Sequence, residues 1–197
     1  MQSLSGKKVA ILAADGFEQS ELIEPKKALD RAGAKTVIVS PNPQKIRGWK
    51  DKNWGEECQV DEPLERARPD EFDALLLPGG VMNPDTLRQD RRAVQFAKYF
   101  FRAGKPVAAI CHGAVTLIDA EVVAGRLMTS YPAIQKDLKN AGAKWVDEEV
   151  VVDHGFVTSR KPADLPRFIE KMIEEFAEGI HEPPPVRPEA REALVGL

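Results

Sequence analysis

The segment Ala109-Ile110-Cys111-His112-Gly113 contains the residue types that a catalytic nucleophile requires. Cys111 follows a short apolar run, and small residues lie two positions before it and two positions after it. This spacing is typical of a sharp turn between a strand and a helix. The first N–H groups of such a helix favour a thiolate and lower the pKa of the thiol. The pattern therefore predicts a reactive cysteine, and an inert buried cysteine is the alternative.

His112 and Glu18 are the groups that could move protons near this sulfur. Neighbouring side chains on a turn diverge, so we expect His112 to face a substrate and not the Cys111 thiol. A solvent-facing histidine at a helix start is the alternative. Glu18 comes just after the first strand, where its carboxyl could hydrogen-bond to the sulfur and act as a general acid and base. An ordinary acid in the first turn of a helix is the alternative for Glu18.

Three more residues lie near predicted strand ends. Gly79 and Gly80 follow the third apolar run, and their N–H groups together with that of His112 could stabilise an oxyanion. A simple strand-ending turn is the alternative for both glycines. Asp85 follows Pro84 at a predicted helix start, where an acid is more often a helix cap than a catalytic residue, and a catalytic role is the alternative.

The other cysteine and the other histidines give no sign of a metal or cofactor site. Cys58 lies in a charged loop and is interpreted as structural or incidental, while His154 and His181 are interpreted as turn and tail residues. With three histidines and no Cys/His cluster, a structural zinc site is not expected. The Asp15-Gly16 and Gly79-Gly80 turns lack the spacing of a phosphate-binding loop, so we predict no cofactor.

The elements that position these residues follow from an alternation of short apolar strands and helical patterns, which is typical of a parallel sheet. In an open α/β sheet, ligands collect outside the carboxyl ends of the strands, so Glu18, Gly79 and Cys111 should meet in one crevice. The remaining predicted elements are a loop with a possible short antiparallel pair over 41–63, a long helix from about Asp85 to Ala103, and a hairpin around 153–155.

The composition of the 197 residues favours one domain, predicted over 1–180, with a Pro-rich extension over 181–197. The 28 basic and 31 acidic residues are spread along the chain, so no nucleic-acid or anionic-lipid partner is expected.

No apolar run is long enough to span a bilayer, and no signal peptide is evident. The two cysteines offer no disulfide framework, which favours the cytoplasm. Pro183-Pro184-Pro185 could be mobile or pack on a partner subunit.

Several motifs together resemble the ThiJ/PfpI family, of the DJ-type branch within the class I glutamine-amidotransferase-like superfamily. The resemblance extends from about Lys8 to Phe176. The motifs are Asp15-Gly16-Phe17-Glu18 followed by Glu21-Leu22, Asp73 to Gly80, Ala109 to Gly113, Thr129 to Pro132, and Ser159-Arg160 with Pro162 to Leu165.

The resemblance implies a flavodoxin-like three-layer sandwich, with a mostly parallel central sheet, helices on both faces and a nucleophile elbow. It also implies that Cys111 is the nucleophile and that Glu18 is its carboxyl partner. In the PfpI-like branch an acid from a neighbouring subunit orients the histidine after the cysteine, which implies a homo-oligomer. Asp85 matches that acid, although the archetypal intracellular proteases have a glutamate there.

Members of this family are described as deglycases, glyoxalases, cysteine peptidases and stress proteins, and the fold does not choose among them. A small crevice with one thiol and one carboxyl suits α-oxoaldehyde adducts, free or on proteins, so a cofactor-independent deglycase or glyoxalase is expected first. An intracellular peptidase that uses Cys111, His112 and Asp85 is the second hypothesis. A redox-sensing or chaperone-like stress protein is the third.

Overall fold

The computed structural model describes residues 2–182, so Pro183-Pro184-Pro185 and all later residues of the predicted extension lie outside the described residues. The strands are β1 (Lys8–Leu12), β2 (Phe17–Glu18), β3 (Lys35–Ser40), β4 (Lys45–Lys50), β5 (Asn53–Gln59), β6 (Glu62–Pro63), β7 (Ala74–Leu77), β8 (Val107–Ile110), β9 (Leu127–Met128), β10 (Lys144–Trp145), β11 (Val150–Asp153) and β12 (Phe156–Ser159). The α-helices are α1 (Gln19–Arg31), α2 (Met82–Gln89), α3 (Arg91–Arg102), α4 (Val115–Asp119), α5 (Gln135–Asn140) and α6 (Leu165–Glu178).

The central sheet has seven strands in the order β11-β12-β8-β7-β1-β3-β6. Every neighbouring pair is parallel except β11 and β12, which form the antiparallel hairpin expected around residues 153–155. The predicted flavodoxin-like α/β class, with a mostly parallel sheet, is therefore confirmed. Because β7, β8 and β1 are neighbours, their carboxyl ends lie side by side at one edge of the sheet.

The sheet is buried on both faces because its strands are apolar on both sides. Leu75 packs with Phe100 of α3 in a core that also includes residues of α2 and α4. Leu76, the next residue along β7, packs on the opposite face with Leu29 of α1 and Phe168 of α6. This alternation places helices on both faces, which gives the three-layer sandwich.

The region over 41–63 contains the expected antiparallel pair. β4 pairs with β5, and β2 pairs with β4 in parallel, so the three strands form a small separate sheet beside the end of β1. The expected loop thus holds more regular structure than its polar composition indicated. Among the described residues, no helix is long and apolar enough to cross a membrane.

The single helix predicted from about Asp85 to Ala103 is two helices, so that prediction was wrong. Asp90 adopts an extended conformation between α2 and α3, with φ −91° and ψ 108°. Its carboxylate accepts a hydrogen bond from the backbone N–H of Arg92 at 2.8 Å, which satisfies one free donor at the start of α3. The helical periodicity of the sequence is thus continuous over this region, whereas the cap formed by Asp90 ends one helix and begins the next.

We expect Asp90→Ala to lower the free energy of unfolding by about 1 kcal/mol, because α3 loses its N-terminal cap. Asp90→Asn keeps an acceptor oxygen and should recover most of that loss. Urea denaturation of the two variants and the wild type measures the difference. Equal losses in both variants would show that the charge of Asp90, and not the cap, carries the effect.

Candidate active site

The sharp turn after β8 places Cys111 at the carboxyl edge of the sheet. Cys111 has φ 61°, a left-handed conformation that is rare for residues other than glycine. Its N–H donates to the carbonyl of Ser159 at 3.0 Å, and its own carbonyl accepts from the N–H of Tyr131 at 3.1 Å. Four turn residues, Cys111 to Ala114, separate β8 from α4. The strand-to-helix elbow predicted from the spacing is therefore present, with backbone strain at the cysteine itself.

Gly113 shows why the elbow requires small residues. A Cβ on Gly113 would lie 2.5 Å from the carbonyl oxygen of Leu77 and 2.9 Å from that of Pro78. Both contacts are with backbone atoms, which cannot move aside as a flexible side chain would. The turn after β8 thus packs directly against the end of β7.

Glu21 is the carboxyl that lies beside the Cys111 thiol. Its Oε2 accepts the N–H of Gly79 at 3.0 Å. A Cβ on Gly79 would lie 2.5 Å from Glu21 Oε2 and 2.7 Å from Cys111 Cβ, so the three residues are in close contact. Each of the two side chains also shifts the pKa of the other. Glu21 therefore has the position that the sequence assigned to Glu18.

Glu18 does not take the place expected for it. The Glu18 side chain is half-buried and accepts a hydrogen bond from the Ser20 hydroxyl at 3.1 Å. Its N–H donates to the carbonyl of Gly79 at 3.3 Å, so its backbone helps to close the crevice. The physical reason for the correction is helical geometry. Glu18 precedes α1, whereas Glu21 lies within its first turn and on its buried face.

The position of Glu21 in the sequence is itself a signal for its role, although motifs alone do not show it. Glu21 falls on the same face of α1 as Pro25, Ala28 and Leu29, all of which are buried. A glutamate on the apolar face of an amphipathic helix is uncommon without a specific partner. That position, and not the presence of an acid near the first strand, distinguishes Glu21 from Glu18.

The environment of Glu21 keeps its carboxyl protonated near neutral pH. Burial, and next the charge of Glu18, raise its pKa to about 8, against opposing hydrogen bonds from the Gly79 N–H and the Cys111 thiol. Its second oxygen, Oε1, is buried and makes no hydrogen bond to any residue in the described range. A protonated carboxyl can donate to the sulfur, and a carboxylate cannot.

The pKa of the Cys111 thiol is raised, contrary to the expectation of a lowered value. Burial is the largest cause, and the negative charge of Glu21 is the second. The backbone N–H groups of His112 and Gly80 act in the opposite direction. The repulsion from Glu21 vanishes when that carboxyl is protonated, so protonation of Glu21 removes the second of these two causes and leaves the effect of burial.

His112 also differs from its prediction, because its ring turns back onto the neighbouring sulfur. Its Nδ1 lies 3.3 Å from Cys111 Sγ, and the ring stacks on Tyr131 with centroids 4.9 Å apart. The left-handed conformation of Cys111 brings the two side chains together, whereas side chains on a regular turn would diverge. Burial lowers the pKa of His112, which favours the neutral imidazole, while the charge of Asp85 raises it.

The two glycines have different functions in the site. The Gly79 N–H is occupied by Glu21 and is not free for an oxyanion. The Gly80 N–H is directed at the sulfur, as is that of His112. Gly80 has φ 81°, and a Cβ there would lie 2.3 Å from the carbonyl oxygen of Gly16. Of the predicted donors, Gly80 and His112 thus remain for a negative charge at or near the sulfur.

Asn83 is a further site residue that sequence reasoning missed. Its amide donates to the carbonyls of Pro78 and Gly79 at 2.9 and 3.0 Å. Its carbonyl oxygen accepts from the N–H of Ala14 at 2.7 Å. This fully buried side chain therefore holds the ends of β1 and β7 in register, and no local sequence pattern marks that role.

Asp85 lies near His112 in the same chain. It shares with His112 a cleft of about 460 Å³, which Arg88, Asp137 and Asn140 also line. Asp85 is exposed and is close enough to His112 for its charge to raise the pKa of the imidazole. An acid that can influence His112 is therefore available within one chain.

The family of the chain follows from its similarity to known proteins. A family model described as the DJ-1/PfpI family matches residues 7–175. The chain belongs to the DJ-1/PfpI family. Among its relatives are proteins named deglycase from Pyrococcus abyssi, 46% identical, and Thermococcus kodakarensis, 45% identical. Each match covers 84% of this chain and 97% of the relative.

Solved structures of DJ-1/PfpI proteins have the same fold. A two-domain protein from Anabaena variabilis, with DJ-1/ThiJ/PfpI-like and ferritin-like domains, has a TM-score of 0.81 and 38% identity over 85% of this chain and 47% of its own. Drosophila melanogaster DJ-1beta has a TM-score of 0.80 and 28% identity, over 88% of this chain and 91% of its own.

The raised pKa of Glu21 predicts a dependence of stability on pH. The carboxyl binds its proton more tightly in the folded state, with a pKa of about 8, than in the unfolded state, at 4.5. This contribution is complete below pH 4.5 and is lost as the pH rises through 8. The wild type should thus lose on the order of 4 kcal/mol more stability across this window than Glu21→Gln.

Urea denaturation at a series of pH values measures this difference. Glu24→Gln is the matched control, because Glu24 is exposed on the same helix and pairs only with Lys27 among the described ion pairs. It should keep the slope of the wild type. Parallel curves for the wild type and Glu21→Gln would contradict the raised pKa.

Proposed function

We propose that this DJ-1/PfpI protein is a cysteine-dependent hydrolase of the deglycase or glyoxalase kind, which acts without a cofactor on carbonyl compounds and adducts derived from glyoxal or methylglyoxal. The observation that carries the proposal is the Cys111 thiol, with an imidazole nitrogen at 3.3 Å on one side and the protonated Glu21 carboxyl on the other. The relatives named deglycase support this class of substrate.

The first step is addition of the sulfur to carbon. The thiol proton passes to Nδ1 of His112, which is neutral because of burial, and the sulfur forms a C–S bond with the aldehyde carbon. The carbonyl electron pair moves to oxygen, which takes the proton of Glu21. With an amine adduct, the C–N bond breaks instead, and the amine leaves with that proton. Both routes give a hemithioacetal, with Glu21 ionised.

The second step is an internal redox exchange within the bound substrate. The Glu21 carboxylate removes the proton from the carbon that carries the sulfur and returns it to the neighbouring carbon through an enediol. The product is an α-hydroxy thioester. Water then adds to its carbonyl, Glu21 takes one water proton, and the C–S bond breaks. The sulfur recovers its proton from His112, and a hydroxy acid leaves, so each group returns to its starting state.

A peptidase is the second candidate, and the position of Asp85 favours it. Asp85 lies near enough to His112 to raise the pKa of the imidazole, which would make His112 a better base toward the thiol. Aspartate at this position has a shorter reach than glutamate. For that reason the deglycase or glyoxalase reaction, which needs only Cys111, Glu21 and His112, is proposed first.

The decisive experiment compares turnover of methylglyoxal, glyoxal-modified amino acids and a fluorogenic peptide, without added cofactor. Cys111→Ser should abolish turnover, whereas Cys58→Ser, the matched cysteine control, should keep it. Glu21→Gln should lower kcat/KM at least about 100-fold, since a general acid and base is lost. Glu18→Gln and Asp85→Ala should each cost less than about 10-fold. In the wild type, kcat/KM should fall as the pH rises through about 8, where Glu21 ionises.

The outcomes separate the candidates. Peptide cleavage that requires both Cys111 and Asp85 would favour the peptidase. A larger loss in Glu18→Gln than in Glu21→Gln would contradict the assignment of Glu21. Absence of turnover on every substrate, together with oxidation of Cys111 by peroxide, would favour the non-enzymatic stress protein.

The proposal includes a cytoplasmic homo-oligomer. Support comes from apolar side chains next to the cleft, where Val81 is 63% exposed and Met82 and Tyr131 are 39% and 40% exposed. Apolar groups of this size, gathered around one cleft, are typical of a surface that another subunit covers. We expect light scattering to give a mass of two or more chains, and Val81→Asp to reduce it. A monomer at micromolar concentration would contradict this part of the proposal.

A further inference from the structure

A second group of titratable side chains lies far from Cys111, at the end of α6. We call Glu175, Glu178 and His181 the C-terminal cluster. Their ligand atoms all lie within 4.8 Å of one another. Glu175 and Glu178 are one helical turn apart and therefore share a face of the helix, and His181 follows after Gly179 ends the helix.

Packing fixes the His181 imidazole. The His181 N–H donates to the carbonyl of Gly104 at 2.8 Å. The ring lies against Gly155 so closely that a Cβ there would be 2.4 Å from Cδ2. Gly104 precedes β8 and Gly155 precedes β12, so the cluster is at the amino edge of the sheet, opposite to Cys111. The histidine expected from sequence to be a tail residue is thus part of the folded body.

The cluster leaves one buried polar atom, His181 Nε2, without a hydrogen bond in the described part of the chain. His181 Nε2 faces Glu175 Oε2 at 3.4 Å, but it is buried and makes no hydrogen bond within residues 2–182. The side chains of His181 and Glu175 are only 18% and 12% exposed. A carboxylate oxygen of Glu175 and one of Glu178 lie within 4.8 Å of each other, so two negative charges are close together. A buried imidazole nitrogen that makes no hydrogen bond, beside two neighbouring carboxylates, is costly unless a cation joins these groups.

We propose that the C-terminal cluster binds one divalent transition-metal ion of the Zn²⁺ class, through His181 Nε2 and one oxygen each of Glu175 and Glu178. One imidazole and two carboxylates form a ligand set that suits borderline divalent ions, for which imidazole adds affinity over Ca²⁺ or Mg²⁺. Glu178 is exposed, so water completes the coordination. The bound ion ties the end of α6 to the segments before β8 and β12, which is a structural role.

Lys7 is a basic residue close to the end of α6. Its Nζ lies 3.4 Å from the position of a Cβ on Gly179. No ion pair joins Lys7 to a cluster carboxylate in the part of the chain that the structure describes. The positive charge of Lys7 repels a metal ion and therefore lowers the metal affinity of the cluster. Lys7 does not take the place of the ion, because it pairs with none of the cluster carboxylates in the described residues.

The test is a calorimetric titration of the full chain with Zn²⁺. Both cysteines are first replaced, as Cys58→Ser and Cys111→Ser, so that no thiol binds the metal and the outcome is independent of the proposed reaction. We expect one Zn²⁺ per chain. Glu178→Gln in this background should weaken Zn²⁺ binding at least about 10-fold, since a ligand contributes no less than an outer-shell partner. Zn²⁺ should also raise the Tm of the parent more than that of Glu178→Gln.

Glu174→Gln is the matched control, because Glu174 is on the same helix, carries the same charge and pairs with Lys171 outside the cluster. It should bind Zn²⁺ as the parent does. Glu178 is exposed, so the Glu178→Gln chain should fold even if His181→Gln does not. Absence of Zn²⁺ binding by the parent, or equal affinities of Glu178→Gln and Glu174→Gln, would overturn the proposal and leave a His181–Glu175 ion pair.

Discussion

The contact between Glu21 and the Cys111 thiol is the constraint on which the rest of the site depends. A carboxyl in an apolar core is stable only when it is protonated or well hydrogen-bonded. Here one oxygen is fixed by the Gly79 N–H, and burial raises the pKa to about 8. The same burial that makes Glu21 a proton donor near neutral pH also raises the pKa of the thiol. The charge state of Glu21 therefore influences the reactivity of the sulfur beside it.

The contact is possible because three strand ends approach one another at backbone distance. Gly79, Gly80 and Gly113 each lie where a Cβ would meet backbone or site atoms closer than 3 Å. Asn83 joins two of the loops with hydrogen bonds from both ends of its amide. Backbone strain at Cys111 turns its thiol toward Glu21 and turns His112 onto the sulfur. A crevice assembled in this way orders its groups before substrate arrives, which is what catalysis by positioning requires.

The two edges of the central sheet have different chemistry. The carboxyl edge holds the thiol, the imidazole and the carboxyl that could carry out hydrolysis of a carbonyl adduct. The amino edge holds the C-terminal cluster, where His181 is anchored to Gly104 and packs on Gly155. Because β8 and β12 run between the two edges, the end of α6 supports the strands that present Cys111. The reactive groups and the C-terminal cluster thus lie at opposite ends of the same strands.

The sequence by itself determined the alternating α/β pattern, the elbow at Cys111 and the gathering of strand ends, because hydrophobic periodicity and small-residue spacing are local properties. It also indicated the hairpin around 153–155 and the family, through motifs that lie along the chain. Only the tertiary structure decided which acid reaches the sulfur, since Glu18 and Glu21 are three residues apart and only packing distinguishes them. It also decided the direction of His112, which follows from the strained φ of Cys111. The break at Asp90 depends on the geometry of a helix cap, and the contacts of His181 depend on residues distant in sequence. Hydrophobic periodicity carries no information about either.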